Sequence, residues 1–424
     1  MKNSGIEWIG EIPDDWKVGA LKYFYSMQTG FTPSTQNDNY YDDESGMIWV
    51  TISDITNAGK YIYDSKSKIS KKYLTDYTPK ITPSNSLLYS FKLSIGTVAF
   101  AGVPLYTNEA IASFIKTEKV NLNFLYYSSF LILYNANTNI YGAKLLNQDL
   151  IRNAKIIFPP LSAQQQIADY LDKKCAAVDR MIENQRAQIE KLKEYKQSVI
   201  TEAVTRGLDP SAPMKDSGVE WLGEIPMSWN VMATKNLFRI VSGSTPKSDN
   251  IDFWDGDIIW ITPSDFSTED VFVYHGKRNI SLQGLKSCST ALVPKNSIIF
   301  SKRAPIGLVV INGNELCTNQ GCLSCVNITN QNIKFFYYTM SICTEQYEIL
   351  GSGTTFKEIS AKDFANFKLP CPTKDEQRQI ADYLDKKCAE IDKLIAIKQQ
   401  KIETLTEYKK SLIYEYVTGK KQVG

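Results

Sequence analysis

Between residues 161 and 206, apolar side chains recur at steps of four and three: Leu171, Cys175, Val178, Ile182, Ile189, Leu192 and Val199, interrupted by Gln185. Such steps hold one stripe on one face of an α-helix and carry the heptad rhythm of a supercoiled seam. The pattern returns at Leu384, Cys388, Ile391, Ile395, Ile402, Leu405 and Leu412, with Lys398 at the position of Gln185. No Gly or Pro breaks either stretch before Gly207 and Gly419, so helices are predicted over 161–206 and 373–418. Straight, from Ser162 to Thr205 the first would run about 65 Å at ~1.5 Å per residue. Ser162 with Gln165, and Thr373 with Glu376, have capping-box spacing and mark the two predicted N-termini.

The remaining pattern differs. Short β-branched runs such as "MIWVTI" (47–52) and "DIIWIT" (257–262) are bounded by turn residues and read as strands. Apolar stretches with helical spacing, "NFLYYSSFLILY" (123–134) and "NIKFFYYTMSIC" (332–343), lie between them. The fold class predicted is α+β. Two globular stretches, 1–160 and 217–372, are each followed by a long helix, and 207–216 is a linker.

The halves are copies. "IADYLDKKC" begins at 167 and again at 380, while "SGIEWIGEIP" at 4 is answered by "SGVEWLGEIP" at 217, so both phrases share an offset of 213. Within the globular parts "TGFTP" answers "SGSTP", "WVTISDI" answers "WITPSDF" and "TNEA" answers "TNQG", the offset falling to 211 for the last two. A shared skeleton with diverged contents suits two binding modules that keep one fold and read different targets. A helix of about 65 Å outruns a domain of this size, so the two helices are expected to pack together. Duplication favours a pseudo-twofold, hence antiparallel, pairing. Gln185 and Lys398 are then expected near the axis, fixing the register; otherwise each tilts into water. Asp169, Asp172, Lys173 and Lys174 of the first nonapeptide are expected outside both the seam and the domain, as a solvated face or a docking face for a partner protein.

Formal net charge is +2, so any basic surface must be local. One cysteine in the first half against seven in the second is unlike a disulfide scaffold and fits reduced thiols. The start of the chain lacks a signal-peptide core and no apolar run is long enough for a membrane span, which predicts a cytoplasmic protein without membrane attachment. Reaction chemistry has little material. His275 is the sole histidine, and there is no phosphate-binding G-x-x-x-x-G-K-[ST] loop. The Asp14–Asp15–Lys17 cluster of "PDDWK" has "PMSWN" as its counterpart, so only Pro and Trp persist. Cys317, Cys322 and Cys325 have an iron–sulfur-like spacing, yet their counterparts Tyr106, Ile111 and Phe114 are apolar, which points to core filling. No catalytic or metal residue is assigned.

The chain resembles the DNA-specificity subunits of type I restriction–modification systems. The resemblance rests on "SGIEWIGEIPDDW" and "SGVEWLGEIPMSW", on "PPLSAQQQIADYLDKK" and "PTKDEQRQIADYLDKK", and on "EYKQSVITEAVTRG" and "EYKKSLIYEYVTGK". It implies two target-recognition domains, each reading half of a split site in double-stranded DNA, held apart by helices that also bind methyltransferase subunits. Catalysis would belong to partners, an S-adenosylmethionine-dependent modification subunit and an ATP- and Mg²⁺-using restriction and translocation subunit; no cofactor is expected in this chain. A turn added or removed within 198–205 is expected to change the gap between half-sites and leave the bases read unaltered.

Base reading needs Arg or Lys for guanine and Asn or Gln for adenine, with phosphate clamps beside them. "FSKRAPIG" (300–307) offers Lys302 and Arg303 on a loop after a strand, and "YSFKLSIG" (89–96) offers Lys92. "GSGTTFKEIS" (351–360) offers Thr354 and Lys357, with Lys144 at the matching place, and "KSKISKKY" (66–73) offers Lys71 and Lys72. The competing reading of each is a solvated loop charge. For the whole chain it is a twin-domain scaffold that binds proteins, a reading that near-neutral charge allows.

Overall fold

The short β-branched runs form the sheets, and they do so twice. The computed structural model describes residues 1–42, 44–118, 120–139, 142–267, 270–303, 305–353 and 357–423. They fold as two compact units, Met1–Gln185 with Gln400–Gly424, and Arg186–Gln399.

In the first unit the strands of the two larger sheets are β1 (Ser26–Thr29), β2 (Met47–Val50), β3 (Tyr61–Ile62), β4 (Lys68–Ile69), β5 (Leu87–Ser90), β6 (Val98–Ala101), β7 (Tyr106–Thr107) and β8 (Ile111–Ile115). Helix α1 is Lys71–Tyr77, α2 is Leu122–Ser128, and α3, Leu161–Arg206, is the first long helix. A five-stranded sheet runs β1-β8-β5-β6-β3 and a three-stranded one β7-β2-β4. All four residues of β5 are buried, because both faces of the sheet are covered; its apolar run is therefore continuous rather than alternating.

The second unit repeats the plan with β9 (Phe238–Ser242), β10 (Trp254–Ile261), β11 (Phe272–Val273), β12 (Arg278–Ile280), β13 (Ile298–Ser301), β14 (Val309–Asn312), β15 (Cys317–Thr318) and β16 (Cys322–Asn327). Its five-stranded order, β9-β16-β13-β14-β11, matches the first unit strand for strand. Helix α4 (Ile333–Ser341) corresponds to α2, and α5 (Lys374–Val417) to α3. Phe300 anchors the core, stacked on Phe364 at 4.4 Å and edge-on to Tyr347 at 4.7 Å.

The long helices pack antiparallel, as their stripes predict. In the first unit Leu171 and Cys175 share a core with Leu412, Tyr416 and Val417. In the second, Val199, Ile200 and Val204 share one with Ile380, Leu384 and Cys388. Rising numbers on α3 thus meet falling numbers on α5. Lys409 lies 2.7 Å from Asp179 in the first unit, and Lys196 lies 2.7 Å from Asp392 in the second. Under the 213-residue offset these are one ion pair written twice. Half-exposed pairs contribute only about 0–1 kcal/mol each, whereas each buried Leu or Val contributes roughly 1.5–3 kcal/mol. Burial therefore stabilises the helix pair far more than these charges do. Gly207 and Gly419, at φ of 79° and 72°, stop the helices in the left-handed conformation that favours glycine.

Three expectations change. Helix α3 starts at Leu161, so Ser162 lies inside its first turn and is no N-cap. The counterpart of Thr373 is Pro160, which has no hydroxyl to cap with, whereas Thr373 and Glu376 do close a capping box at 2.7–3.3 Å. Both helices are instead anchored by a buried glutamine. Gln164 accepts from the Asn121 N–H and donates to the Pro159 carbonyl, and Gln377 does the same with Asn332 and Pro372. Second, Asp172 is not left outside: Lys60 and the Tyr127 hydroxyl bind it, as Lys334 and Tyr338 bind Asp385. The identical nonapeptides thereby tie each long helix to its own globular unit. Third, the stretch 198–205 is no free spacer, since Val199, Ile200, Ala203 and Val204 lie in the core of the second unit.

Cys317, Cys322 and Cys325 enter three different hydrophobic clusters. Burial pushes the Cys175 and Cys317 thiols up to about 11 and raises Cys322, Cys325 and Cys343 as well. In native protein at pH 8 a thiol reagent is expected to modify Cys288 and Cys371, the partly exposed pair, while the six buried cysteines react at the rate of unfolding. Peptide mass mapping against time checks this, and rapid native labelling of Cys325 would contradict it. Among the described residues no helix is long and apolar enough to cross a membrane, and no group of three or more metal-ligating side chains is present.

Candidate nucleic-acid interface

Four landmarks of the repeat, far apart in sequence, meet at one end of each five-stranded sheet. In the first unit Gly30 lies so close to β7 that an added Cβ would stand 1.7 Å from the Thr107 carbonyl oxygen. The Phe31 N–H donates to that carbonyl at 2.8 Å, and the Trp49 indole donates to the Phe31 carbonyl at 2.9 Å. The Asn108 N–H donates to Val50 at 3.0 Å, and the Phe91 N–H to Ala110 at 3.0 Å. "TGFTP", "WVTISDI", "TNEA" and the lysine loop are thus one hydrogen-bonded cluster.

The second unit reproduces it bond by bond. The Ser244 N–H donates to Thr318 at 2.9 Å, Trp260 to Ser244 at 3.1 Å, Asn319 to Ile261 at 3.0 Å and Lys302 to Gly321 at 2.9 Å. The side chains that this shared frame displays differ. Thr32 donates to Glu109 in the first unit, where Thr245 faces Gln320 in the second.

The cluster collects several of the candidate residues. Lys92 is half exposed, 3.5 Å from Glu109. The hydroxyl of Thr32, with the charge of Lys92 adding to it, holds the Glu109 carboxyl below the usual range and keeps it ionised. Lys302 is mostly buried, 16% exposed, and pairs with Glu358 at 2.6 Å; Arg303, 37% exposed, lies 3.6 Å from the other oxygen of the same carboxylate. Glu358 is held in turn by 3.0 Å backbone bonds to Ser352, and Ile359 donates to the Lys302 carbonyl at 3.0 Å, so the Gly/Ser loop and the Lys–Arg loop meet. Lys357 is exposed beside them, and Thr354 lies outside the described residues. Lys71 and Lys72 are exposed on the first turn of α1, whose Tyr73 stacks on Phe31 at 5.1 Å. Lys144 is more remote: it bonds Thr138 at 3.2 Å, and its segment reaches the cluster through Gln148, which donates to Thr29 at 2.9 Å. Of the two residues expected to fix the helix register, Gln185 is 8% exposed, while Lys398 donates to Gln188 on the facing helix.

Sequence reasoning missed Glu109, Gln320 and Glu358. The first two sit where "TNEA" and "TNQG" part company, a signal present in the letters; Glu358 carried none beyond its neighbour Lys357. Arg278, stacked 3.8 Å from the Trp254 ring centre, was missed as well, although "HGKRN" is visibly basic.

Residues 13–193 and 226–407 match a family described as the type I restriction modification DNA specificity domain. The chain is 28% identical over 434 residues to a putative type I restriction enzyme MjaX specificity subunit of Methanocaldococcus jannaschii, covering 98% of this chain and 96% of that one. It is 34% identical over 187 residues to the MjaIX specificity subunit of the same organism, a match spanning 43% of this chain and 42% of that one. A chain from a structure of type I R-M system assembly and conformational transition superposes with a TM-score of 0.74 at 17% identity, covering 96% of this chain and 98% of that one, a likeness of fold. With two matched segments that together take up most of its length, the chain belongs to the type I restriction–modification DNA specificity family and carries two copies of its domain.

Proposed function

We propose that each unit reads one half of a bipartite, asymmetric double-stranded DNA target through the cluster at the end of its sheet. The observation that carries this reading is one hydrogen-bonded frame present twice, displaying different polar side chains around Lys92 and around Lys302 and Arg303. A fixed frame with exchangeable readers is what two half-sites of different sequence require. The chain is a specificity subunit of a restriction–modification system, whose task is recognition rather than catalysis, and it acts with DNA and the other subunits of that system. In finer detail, methyltransferase subunits dock on the long helices, and a restriction and translocation subunit joins them in the cytoplasm. Those partners use S-adenosylmethionine, ATP and Mg²⁺.

Mapping methylated positions in DNA exposed to this chain with its modification subunits tests the proposal: a split, non-palindromic motif is expected. Binding should weaken steeply with salt, since each neutralised phosphate adds about 0.9 to the log–log slope. A salt-independent complex, or methylation without a motif, would favour a protein scaffold.

The helices serve as the spacer. A matched heptad inserted in α3 after Arg186 and in α5 after Gln399 preserves the stripe and adds about 10 Å. The gap in the motif is expected to lengthen by about three base pairs while both half-sites keep their bases. Methylation mapping reads both, and changed half-site bases would contradict a separable spacer.

A further inference from the structure

Each unit places a carboxylate against the cation at one equivalent loop position, and it does so from non-equivalent places. Lys92 and Arg303 correspond under the 211-residue offset. Lys92 faces Glu109, two residues beyond β7; in the second unit that position is the neutral Gln320, and the acid comes instead from Glu358, on the loop before the last globular helix. The two units thus reach the same pairing from different places in the chain, Glu109 in one and Glu358 in the other. A loop charge that is merely solvated needs no such partner in either unit.

We propose that Glu109 and Glu358 are specificity-determining residues that withhold these cations from phosphate and release them to a base edge. The inference builds on the DNA-reading proposal above. A phosphodiester is an anion competing for charge the carboxylate has already neutralised, so it gains little by approaching. A base edge such as the O6 and N7 of guanine presents neutral acceptors. Arginine has five N–H donors, enough to keep the carboxylate on one side and hold a base on the other. Glu358 grips Lys302 as well, with a side chain only 16% exposed, so Lys302 acts as a positioning residue and Arg303 is the group presented. The pairing lowers affinity for arbitrary DNA and raises the ratio of specific to non-specific binding.

The test compares wild type with Glu358→Gln and Glu109→Gln, each full chain assembled with its modification subunits. Probes are a randomised 40-base-pair duplex pool and duplexes carrying the motif that wild type methylates. Glutamine keeps the shape and leaves the Ser352–Glu358 backbone bonds intact. Glu358→Gln is expected to tighten binding to the random pool about tenfold at 0.15 M salt and to steepen the salt slope by about one unit, from one newly engaged phosphate. Misreading should appear only in the half-site read by the second unit, and only in the other half for Glu109→Gln. Unchanged pool affinity and slope, or misreading in both halves, would overturn the inference and leave these acids as loop props. Wild-type complex that shows no salt-dependent binding overturns the DNA-reading proposal itself and takes this inference with it.

Discussion

Replacing Gln377 with Leu is expected to destabilise the second unit by roughly 2–6 kcal/mol, more than any surface change in the molecule. Gln377 is fully buried: it accepts from the Asn332 N–H at 2.9 Å and donates to the Pro372 carbonyl at 3.0 Å and to the Gln331 side chain at 2.8 Å, with a longer contact to the Cys371 sulfur at 3.9 Å. Leucine fills similar volume, so little of the cost is cavity. What remains is a buried N–H and a buried C=O without partners, each costing about 1–3 kcal/mol. Asn332 is also the N-cap of α4, so the substitution loosens the first turns of α4 and α5 together. Urea unfolding followed by tryptophan fluorescence would read a fall in midpoint at constant slope. Gln164→Leu should do the same in the first unit. A loss below about 1 kcal/mol for Gln377→Leu would mean the anchor is dispensable.

Gly243→Ala is expected to abolish reading of one half-site while sparing the other. Gly243 does not have the positive φ that reserves a position for glycine, so space is the issue. An added Cβ would stand 2.1 Å from the Asn319 carbonyl oxygen and 2.3 Å from that of Thr318, both backbone atoms that cannot rotate away. The "SGSTP" turn must lift off β15, breaking the Ser244–Thr318 bond and moving Thr245 from Gln320. Overpacking of this kind costs typically 1–3 kcal/mol, a cost the buried core around Phe300 can absorb. The expected phenotype is therefore a folded protein that misreads. Methylation mapping should show one half of the motif degenerate, and Gly30→Ala should degrade the opposite half. Intact discrimination in both halves would place base reading elsewhere.

Sequence and structure contributed unequally, and particular residues show why. The stripe from Leu171 to Val199, its copy, and the offset of 213 are properties of the chain itself. Helical period and duplication survive in the letters, and they determined two α+β modules, two long helices and their antiparallel packing. The landmark phrases were equally legible, because a glycine pressed against β7 or β15 and an indole bonded to its neighbour's carbonyl tolerate few other residues. Which partner each polar group takes was decided only in three dimensions. Asp172 and Asp385 are the same letter, yet Lys60 serves one and Lys334 the other, from places with no sequence correspondence. Ser162 looked like a cap, but a fold that begins its helix at Leu161 gives the anchoring to Gln164. Glu358 reaches Arg303 across 55 residues of chain, a meeting no local pattern records. Periodicity is a local property and is written along the chain. Ion pairs and buried hydrogen bonds join groups that approach only after the core has closed, and that closure is what the tertiary structure adds.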